Sequence, residues 1–362
     1  MKRTLTACLI ASATLLGAGA ASAADGLVLA RNAAQKFATL PEGVRFPEGI
    51  AANPATGEVF VATFDFGAPN KLLRLAPNGK VIAQKDFGGE PLLGLAYEAA
   101  SDKVLIANVG TLSGQGPSRI QRIAADFLGG TLAENVATIP VIGPPGNRSV
   151  GNPDGSSDTI TFGAGAAAPN AMAFDATGNL YVSDSFQGAI FKIEAAATCA
   201  SPCAVQTVVH DPLLATAGFP PFGANGVALG EDGATLFVAN TGDDRILKVN
   251  LATAEVSVFA ESINGADGIA FDGRGRLWVA ANQADEVVAL NDKGRVIARL
   301  GEFQGINRDG TPNGLLFPAS LAIVGDHLFV TNLALPLTGT TGDEPEEAVT
   351  RYTVSRMKIP NR

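Results

Sequence analysis

Histidine, cysteine and tryptophan are scarce in this 362-residue chain, which contains two His, three Cys and one Trp. So few histidines argue against a zinc or redox-iron centre, because such sites commonly draw on several imidazole ligands. The sequence also has neither a Gly-x-Ser-x-Gly nucleophile elbow nor a His-Glu-x-x-His helix motif. These absences leave His210 and His327 as the imidazole groups for any acid–base role.

The N-terminal apolar run is too short for a membrane anchor, which needs about twenty apolar residues. Residues 1–23 read MKRTLTACLIASATLLGAGAASA, with basic Lys2 and Arg3, an apolar segment diluted by Thr, Ser and Gly, and an Ala-Ser-Ala end. This pattern is typical of a secretory signal peptide cleaved near Ala23. We therefore expect a periplasmic or secreted protein without a membrane span, its mature chain running over 24–362.

Basic residues are outnumbered, with 26 Lys and Arg against 35 Asp and Glu and a formal charge of −9. Loss of the two basic residues Lys2 and Arg3 would lower this charge from −9 to −11. Such a charge disfavours nucleic acid or an anionic membrane as a partner. A small-molecule substrate is the expected partner, and the sequence does not indicate an oligomeric state.

Two cysteines remain after Cys8 leaves with the signal peptide, namely Cys199 and Cys203 in TCASPCAV. An even pair in an oxidising compartment predicts a disulfide that closes a tight loop. The alternative is a metal or redox Cys-x-x-x-Cys site. No further Cys and no nearby His complete a metal ligand set for it.

Repeated units occupy nearly the whole mature chain. Each has a start such as ADGIAF or ANGVAL, followed some ten residues later by a strand such as LYVSD or LFVAN. The units begin at Pro47, Leu92, Pro169, Ala224, Ala266 and Pro318. Short alternating runs broken by Gly, Asn and Asp predict antiparallel strands, with third strands such as RILKV and fourth strands such as VSVFAE. The fold class is therefore predicted as all-β, a single six-bladed β-propeller.

The two ends of the chain are predicted to share the last blade. The sixth unit has VTRYTVS (349–355) as a third strand but too few residues after it for a fourth, and QKFATL (35–40) precedes the first unit. The N-terminal strand would then close the ring without a long unpaired edge. Two stretches interrupt the repeat: an inserted loop at about 125–168, rich in Gly, Pro, Asn and Ser, and an acidic loop at 333–347.

One position of the repeat, near the start of each first strand, carries most of the candidate chemistry. First strands line the channel of a propeller, so equivalent positions converge on its axis. This position holds Glu48, Leu93, Asn170, Asn225, Asp267 and Ala319. Two carboxylates and two amides form an oxygen ligand set suited to Ca²⁺ or another hard divalent cation. The alternative is that Asn and Asp before Gly are ordinary turn residues.

The steps Glu48-Gly, Pro169-Asn170, Asn225-Gly and Asp267-Gly, with strands such as LYVSD, LFVAN and LWVAA, resemble the SMP-30/gluconolactonase family. Paraoxonases and the diisopropyl fluorophosphatase type of phosphotriesterase are similar to that family. The resemblance covers residues of about 41–332. It implies a propeller in which Glu48, Asn170, Asn225 and Asp267 hold a catalytic divalent metal, usually calcium. It also implies that Asp267 acts as general base or nucleophile.

The preferred hypothesis is a calcium-dependent hydrolase of a lactone or related ester, in which the metal polarises the carbonyl and Asp267 assists the attack of water. His210, just before the fourth unit, is a candidate substrate contact. The alternative is a non-catalytic propeller, NHL-like or strictosidine-synthase-like, that binds a protein or small ligand around a structural axial metal. A lyase or synthase on the same scaffold is a weaker interpretation, because no acid–base residue for it is evident.

Overall fold

Six antiparallel sheets make up most of the protein, which is represented by a computed structural model describing residues 27–163 and 165–361. The predicted signal peptide lies outside the described residues. Helix is confined there to the α-helix Gly110–Ser113 and the 3-10 helices Arg31–Ala33, Asn282–Ala284 and Pro345–Ala348. None of the helices in the described ranges has the length and hydropathy needed to span a membrane. The predicted all-β, six-bladed propeller is confirmed.

Each blade starts with an inner strand that contacts the inner strands of the blades on either side, so that the six form a closed ring. The inner strands of blades 1 to 6 are Pro47–Ala52, Leu92–Glu98, Pro169–Phe174, Ala224–Leu229, Ala266–Phe271 and Pro318–Val324. The second strands, in the same order, are Val59–Thr63, Lys103–Asn108, Leu180–Asp184, Thr235–Asn240, Leu277–Ala281 and His327–Asn332. Most residues in both sets are buried, because each blade packs between two others.

The third and outer strands complete the blades. The third strands of blades 1 to 6 are Asn70–Leu75, Arg119–Ala124, Ala189–Ile193, Arg245–Asn250, Glu286–Leu290 and Thr353–Lys358. The outer strands are Val81–Gly88, Glu134–Thr138, Val205–His210, Val256–Glu261, Val296–Leu300 and Gln35–Thr39. A further short strand, Val28–Ala30, pairs parallel with the outer strand of blade 5 and was not predicted.

The N-terminal segment supplies the outer strand of the last blade, as predicted. Gln35–Thr39 pairs antiparallel with Thr353–Lys358, and the inner strand of blade 6 contacts the inner strand of blade 1. The third strand of blade 6 begins later than the predicted residue 349. The backbone amides of Thr350 and Arg351 instead donate to the carbonyl oxygen of Gly310, outside the sheet.

The predicted inserted loop at 125–168 begins too early and contains strands. Glu134–Thr138 is the outer strand of blade 2, and Arg148–Gly151 pairs with Ser157–Ile160 as a separate hairpin. The outer strand escaped prediction because only Val136 and Ala137 of its residues are buried, which removes the alternating apolar pattern. A second hairpin, Phe303–Ile306 with Pro312–Gly314, lies between blades 5 and 6.

The two cysteines of the mature chain lie in the connection between the third and outer strands of blade 3. The Cys199 and Cys203 sulfur atoms are at bonding distance, and their Cα atoms are 6.0 Å apart. Trp278 is fully buried and its Nε1 donates to Asp272 Oδ2 at 2.8 Å. The tryptophan therefore packs the protein core, and no part of it lines the cavity described below.

Candidate metal and substrate site

A break in strand pairing recurs at one register of all six blades and contains the variable residue of the repeat. In blade 1 the pairing of the inner and second strands skips Glu48 and Gly49, between Pro47 and Ile50. The equivalent breaks follow Leu92, Pro169, Ala224, Ala266 and Pro318. Such irregularities redirect the side chains they contain. The variable residues therefore leave the regular ladder together, at the starts of strands that surround one axis.

Glycine follows the variable residue where neighbouring blades approach most closely. A Cβ atom on Gly49 would lie 2.1 Å from the carbonyl oxygen of Leu93, and one on Gly226 would lie 2.2 Å from that of Asp267. Such distances are well inside van der Waals contact, so no side chain fits at these positions. The recurring Gly of the repeat is thus explained by close packing of one inner strand against the next.

Blades 3 and 6 lack this glycine and use a hydroxyl group instead. Ala171 and Ser320 occupy the position, and the second strands supply Ser183 and Thr331. Ser183 Oγ donates to the Asn225 carbonyl oxygen at 2.6 Å, and Thr331 Oγ1 donates to the Glu48 carbonyl oxygen at 2.8 Å. The matching second-strand residue of the other blades is alanine: Ala62, Ala107, Ala239 and Ala280. Each junction between blades is therefore either tightly packed or bridged by a hydroxyl.

Three of the four predicted ligands, Glu48, Asn225 and Asp267, line one cavity, where Asn282 joins them. Asn170 is buried at the same register, but its side chain is not part of the cavity wall. The convergence of the variable position on the axis is thus observed for most of the set. Coordination of a metal by these residues stays a prediction.

Two carboxylate oxygens in this cavity have no hydrogen-bond partner. Glu48 Oε2 and Asp267 Oδ1 are buried and unpaired, whereas Asp267 Oδ2 accepts a hydrogen bond from Asn282 Nδ2 at 3.0 Å. Burial raises the pKa of Glu48 well above its usual range, and the charge of Asp267 raises it further. Burial also raises the pKa of Asp267 to about 7, against hydrogen bonds from Asn282 and Asn225 that lower it.

A divalent cation fits this donor set. Within the described ranges, no Lys, Arg or His is among the groups that shift the pKa of Glu48 or Asp267. Two buried carboxylates without a cationic partner are unfavourable when both are ionised. An all-oxygen set with two negative charges suits Ca²⁺, and the unpaired oxygens of Glu48 and Asp267 are free to bind it.

In blades 3 to 5, the residue after the second strand supports the variable residue of the same blade. Ser185 Oγ accepts a hydrogen bond from Asn170 Nδ2 at 3.0 Å, and Thr241 Oγ1 accepts one from Asn225 Nδ2 at 3.0 Å. Asn282 does the same for Asp267 by donating to it. One N–H of each amide thus donates to a hydroxyl, which fixes the orientation of the amide, and the amide oxygen is the atom that could bind a cation.

Glu48 has no such support, because Phe64 follows the second strand of blade 1. Thr241 Oγ1 also donates to the carbonyl oxygen of Ala266, and Ser185 Oγ to that of Ala224, so both hydroxyls tie their blades to the next one. The amide and Asp267 side chains are therefore held within a continuous hydrogen-bonded ring segment over blades 3 to 5.

Sequence reasoning missed Asn282, because Asn and Asp residues also end or follow the second strands of other blades in structural roles. In blade 4, Asn240 pairs opposite Ala224 and its Nδ2 bonds the carbonyl oxygens of Leu213 and Ala215, a structural role. In blade 5, Ala281 holds that register and Asn282 comes one residue later. The sequence signal that could have identified Asn282 is the additional residue before Asn in LWVAAN of blade 5, compared with LFVAN of blade 4.

The rest of the cavity wall is apolar. It consists of Phe64, Leu93, Pro220, Phe222, Phe317, Leu333, Leu335 and Leu337. Several lie in the segments 211–224, 301–317 and 333–347, whereas no described residue of the inserted segment 125–168 contributes. The cavity offers about 40 Å³ to the centres of water molecules, and about 370 Å³ of unoccupied space when its open mouth is included. Its enclosed part has room for an ion with a few waters.

His210 does not reach this cavity. It ends the outer strand of blade 3, where it is exposed and pairs with Ala189. The outer strand is the one farthest from the inner ring in its sheet, so a histidine there faces the rim of the propeller. His210, the candidate substrate contact, is therefore not part of the cavity wall. His327, which pairs with Val324 and lies 2.7 Å from Asp326 through Nδ1, is at a turn of blade 6.

Comparisons with known proteins concern the family and the fold of the chain. Residues 219–301 match the model of the SMP-30/Gluconolactonase/LRE-like region, a stretch that includes Asn225 and Asp267. The match confirms, over those residues, the resemblance noted in the sequence. A search of curated protein sequences gives no significant match.

Solved structures with the same fold have low sequence identity to this chain. A luciferin-regenerating enzyme is 14% identical with a TM-score of 0.59, covering 89% of this chain and 94% of that one. Regucalcin, a calcium-binding protein from Agrobacterium tumefaciens str. C58, is 17% identical with a TM-score of 0.58, covering 92% and 97%. A streptogramin B lyase is 12% identical with a TM-score of 0.53, covering 90% and 97%. At these identities the likeness establishes the propeller fold alone.

Proposed function

Because residues 219–301 match the SMP-30/Gluconolactonase/LRE-like region, we propose that the protein is a calcium-dependent hydrolase of a lactone or related ester. The observation that carries the proposal is the pair of buried, unpaired oxygens, Glu48 Oε2 and Asp267 Oδ1, at the base of an axial cavity. A calcium-binding protein with the same fold, regucalcin, adds support for the choice of metal.

Glu48, Asn225 and Asp267 would hold the cation in the cavity, with Asn170 as a fourth ligand from the same register. Bound calcium would supply Lewis-acid polarisation of the substrate carbonyl. Ser185 and Thr241 fix the amide side chains so that their oxygens stay available. Because these supports come from second strands of rigid blades, the ligand set is preorganised by the fold.

Asp267 is proposed as the general base. Its Oδ2 is held by Asn282, whereas Oδ1 has no hydrogen-bond partner. One lone pair of Oδ1 would bind the cation, and the other would accept a proton from the attacking water. The water oxygen bonds to the carbonyl carbon and the ring C–O bond breaks. The proton taken by Asp267 then passes to the leaving oxygen, which yields a hydroxy acid. The apolar walls limit the access of other water to the reacting group.

The alternative is a binding protein in which the cation is structural. The small enclosed volume of about 40 Å³ favours it, because that space by itself admits an ion rather than a whole substrate. In that case calcium raises stability, and no lactone, ester or phosphotriester is turned over.

Calcium titration by calorimetry, with a lactone panel run on the same samples, tests the proposal. Tight binding by the wild type is expected to be lost in the Glu48→Gln/Asp267→Asn double variant. The Glu255→Gln/Asp292→Asn variant makes the same change in charge at exposed positions and serves as control. Binding with turnover supports the hydrolase, binding without turnover selects the structural alternative, and no binding by the wild type refutes the metal site.

A further inference from the structure

We propose that the substrate is uncharged and carries an apolar alkyl or aryl group beside its ester or lactone carbonyl, and is not a polyhydroxylated sugar lactone. The inference rests on the proposed hydrolase function and specifies its substrate class. It follows from the contrast between the floor of the cavity and its walls. The floor carries polar Glu48, Asn225, Asp267 and Asn282, whereas every other described residue of the lining is Phe, Leu or Pro.

The walls are built as two apolar clusters. The Phe222 ring centroid lies 5.3 Å from that of Phe186 and 6.3 Å from that of Phe64, so one wall is aromatic. Phe317 and Leu333 are packed together in a second cluster, and Leu335, which packs against both clusters, lies beside them with Leu337. Phe222, Leu335 and Leu337 are only partly buried, so their apolar faces are accessible from the mouth.

A sugar lactone is disfavoured by the lack of hydrogen-bond partners on these walls. No described residue of the lining is Ser, Thr, Tyr, His, Lys or Arg. Each substrate hydroxyl that lost its water without gaining a partner would lower affinity by roughly 5- to 150-fold. The polar groups of the floor cannot compensate, because the proposed function assigns them to the cation and the reacting carbonyl.

An anionic substrate is disfavoured by charge. The charged lining residues are the two carboxylates, and the basic residue next to the Phe317 cluster, Arg45, is already paired. Its Nε and Nη2 both donate to Asp65 at 2.8 Å, and its guanidinium carbon lies 5.1 Å from the Phe46 ring centroid. A carboxylate or phosphate on the substrate would therefore meet no free cation at the wall.

The apolar surface extends beyond the cavity, so a long apolar group of the substrate can pack against it. Phe66 is 60% exposed and its ring centroid is 5.0 Å from that of Phe64, on the aromatic wall. Phe219 is 61% exposed and directly precedes the lining residue Pro220. A chain too long for the enclosed space can therefore run from the floor, along the aromatic wall and on to these exposed rings.

The test is a series of γ-lactones bearing methyl to hexyl side chains, with gluconolactone as the polar comparison, in the presence of calcium. We expect kcat/KM to rise about fourfold for each added methylene until the wall is covered. The Phe222→Ala variant should flatten this dependence, whereas Phe259→Ala, which removes a ring from a different cluster of blade 4, should preserve it.

Binding of the matching γ-lactams, measured by calorimetry, separates this inference from the hydrolase proposal. If lactam affinity rises with chain length and the lactones are hydrolysed, the apolar subsite and the hydrolase function are both supported. If lactam affinity rises but no lactone is hydrolysed, the apolar subsite stands and the hydrolase does not. Equal or faster turnover of gluconolactone overturns the inference while leaving the hydrolase in place. Lactam affinity that does not depend on chain length, or on Phe222, also overturns it.

Discussion

Replacing Asp267 by Asn should stabilise the metal-free protein at alkaline pH, although it removes a residue of the proposed active site. The carboxylate is 4% exposed, close to the equally buried Glu48, and has an unpaired oxygen. Ionised, it therefore contributes unfavourably to the folded state whenever no cation is bound. Asn has nearly the same shape and carries no charge, so it relieves this cost.

The magnitude follows from the raised pKa. Asp267 titrates at about 7 in the folded protein against a usual value of 3.8. The folded state holds the proton more tightly, so the stabilisation that protonation gives is complete at low pH and is lost as pH rises through about 7. At pH values above that, the ionised carboxylate costs the folded state on the order of 4 kcal/mol. Glu48, whose pKa is raised in the same direction by burial, adds to the effect.

The assay is urea unfolding of wild type and Asp267→Asn at about pH 8 and about pH 5, with a chelator and again with excess calcium. In chelator we expect the variant to be more stable by up to about 4 kcal/mol at the higher pH, and by much less at the lower pH. Calcium at a hundred times its Kd should add about 2.7 kcal/mol to the wild type and little to the variant.

Asp272→Asn is the matched control in the same blade. Partial burial raises the pKa of Asp272, but hydrogen bonds from Trp278, Arg274 and Arg276 lower it below its usual value overall. That substitution should therefore destabilise the protein at pH 8, the opposite sign. The reasoning is refuted if Asp267→Asn lowers stability in chelator at pH 8.

Three further predictions concern a support of the site, a junction between blades and the disulfide. Thr241→Val removes the acceptor of Asn225 Nδ2 and should weaken calcium binding, measured by calorimetry, by about 10- to 100-fold. Thr253→Val, at an exposed turn, is the control and should leave calcium affinity unchanged. Equal calcium affinities of the two variants would contradict the role of the Thr241 hydroxyl. Gly226→Ala places a Cβ 2.2 Å from the Asp267 carbonyl oxygen and should lower the free energy of unfolding in urea by about 1–3 kcal/mol. Gly273→Ala, where the added Cβ meets nothing within 4 Å, should be near neutral. Similar losses of stability in both variants would contradict the packing explanation. Cys199→Ser/Cys203→Ser opens a loop with a sequence separation of 4 and should lower the free energy of unfolding by about 2 kcal/mol. The loss is measured as a lower Tm under oxidising conditions. An unchanged Tm would contradict a stabilising constraint from this disulfide.

The repeat made the propeller predictable, because every blade needs the same alternation and the same tight junctions. The shared cavity of Glu48, Asn225 and Asp267 was predictable for the same reason, because equivalent positions of the inner strands in a closed ring lie close together near its axis. Asn282 could not be found from residue type, because recognising it required the exact pairing of Ala281.

The outer strand Glu134–Thr138 and the position of His210 were hidden for a different reason. Outer strands are half exposed, and their composition resembles that of loops. The apolar cavity wall was equally out of reach, since Phe222, Phe317 and Leu335 come from three separate loops whose meeting depends on their paths across one face.

The closure of the ring by Gln35–Thr39 couples the proposed site to the two ends of the chain. Glu48 lies in the first blade, yet its carbonyl oxygen is held by Thr331 of the last, and that last blade is completed by the N-terminal strand. Gln35–Thr39 can therefore pair in its native register only once the C-terminal strand Thr353–Lys358 is present. Separation of the two ends would thus be expected to disturb the proposed cation site through the contact between Thr331 and the Glu48 carbonyl oxygen.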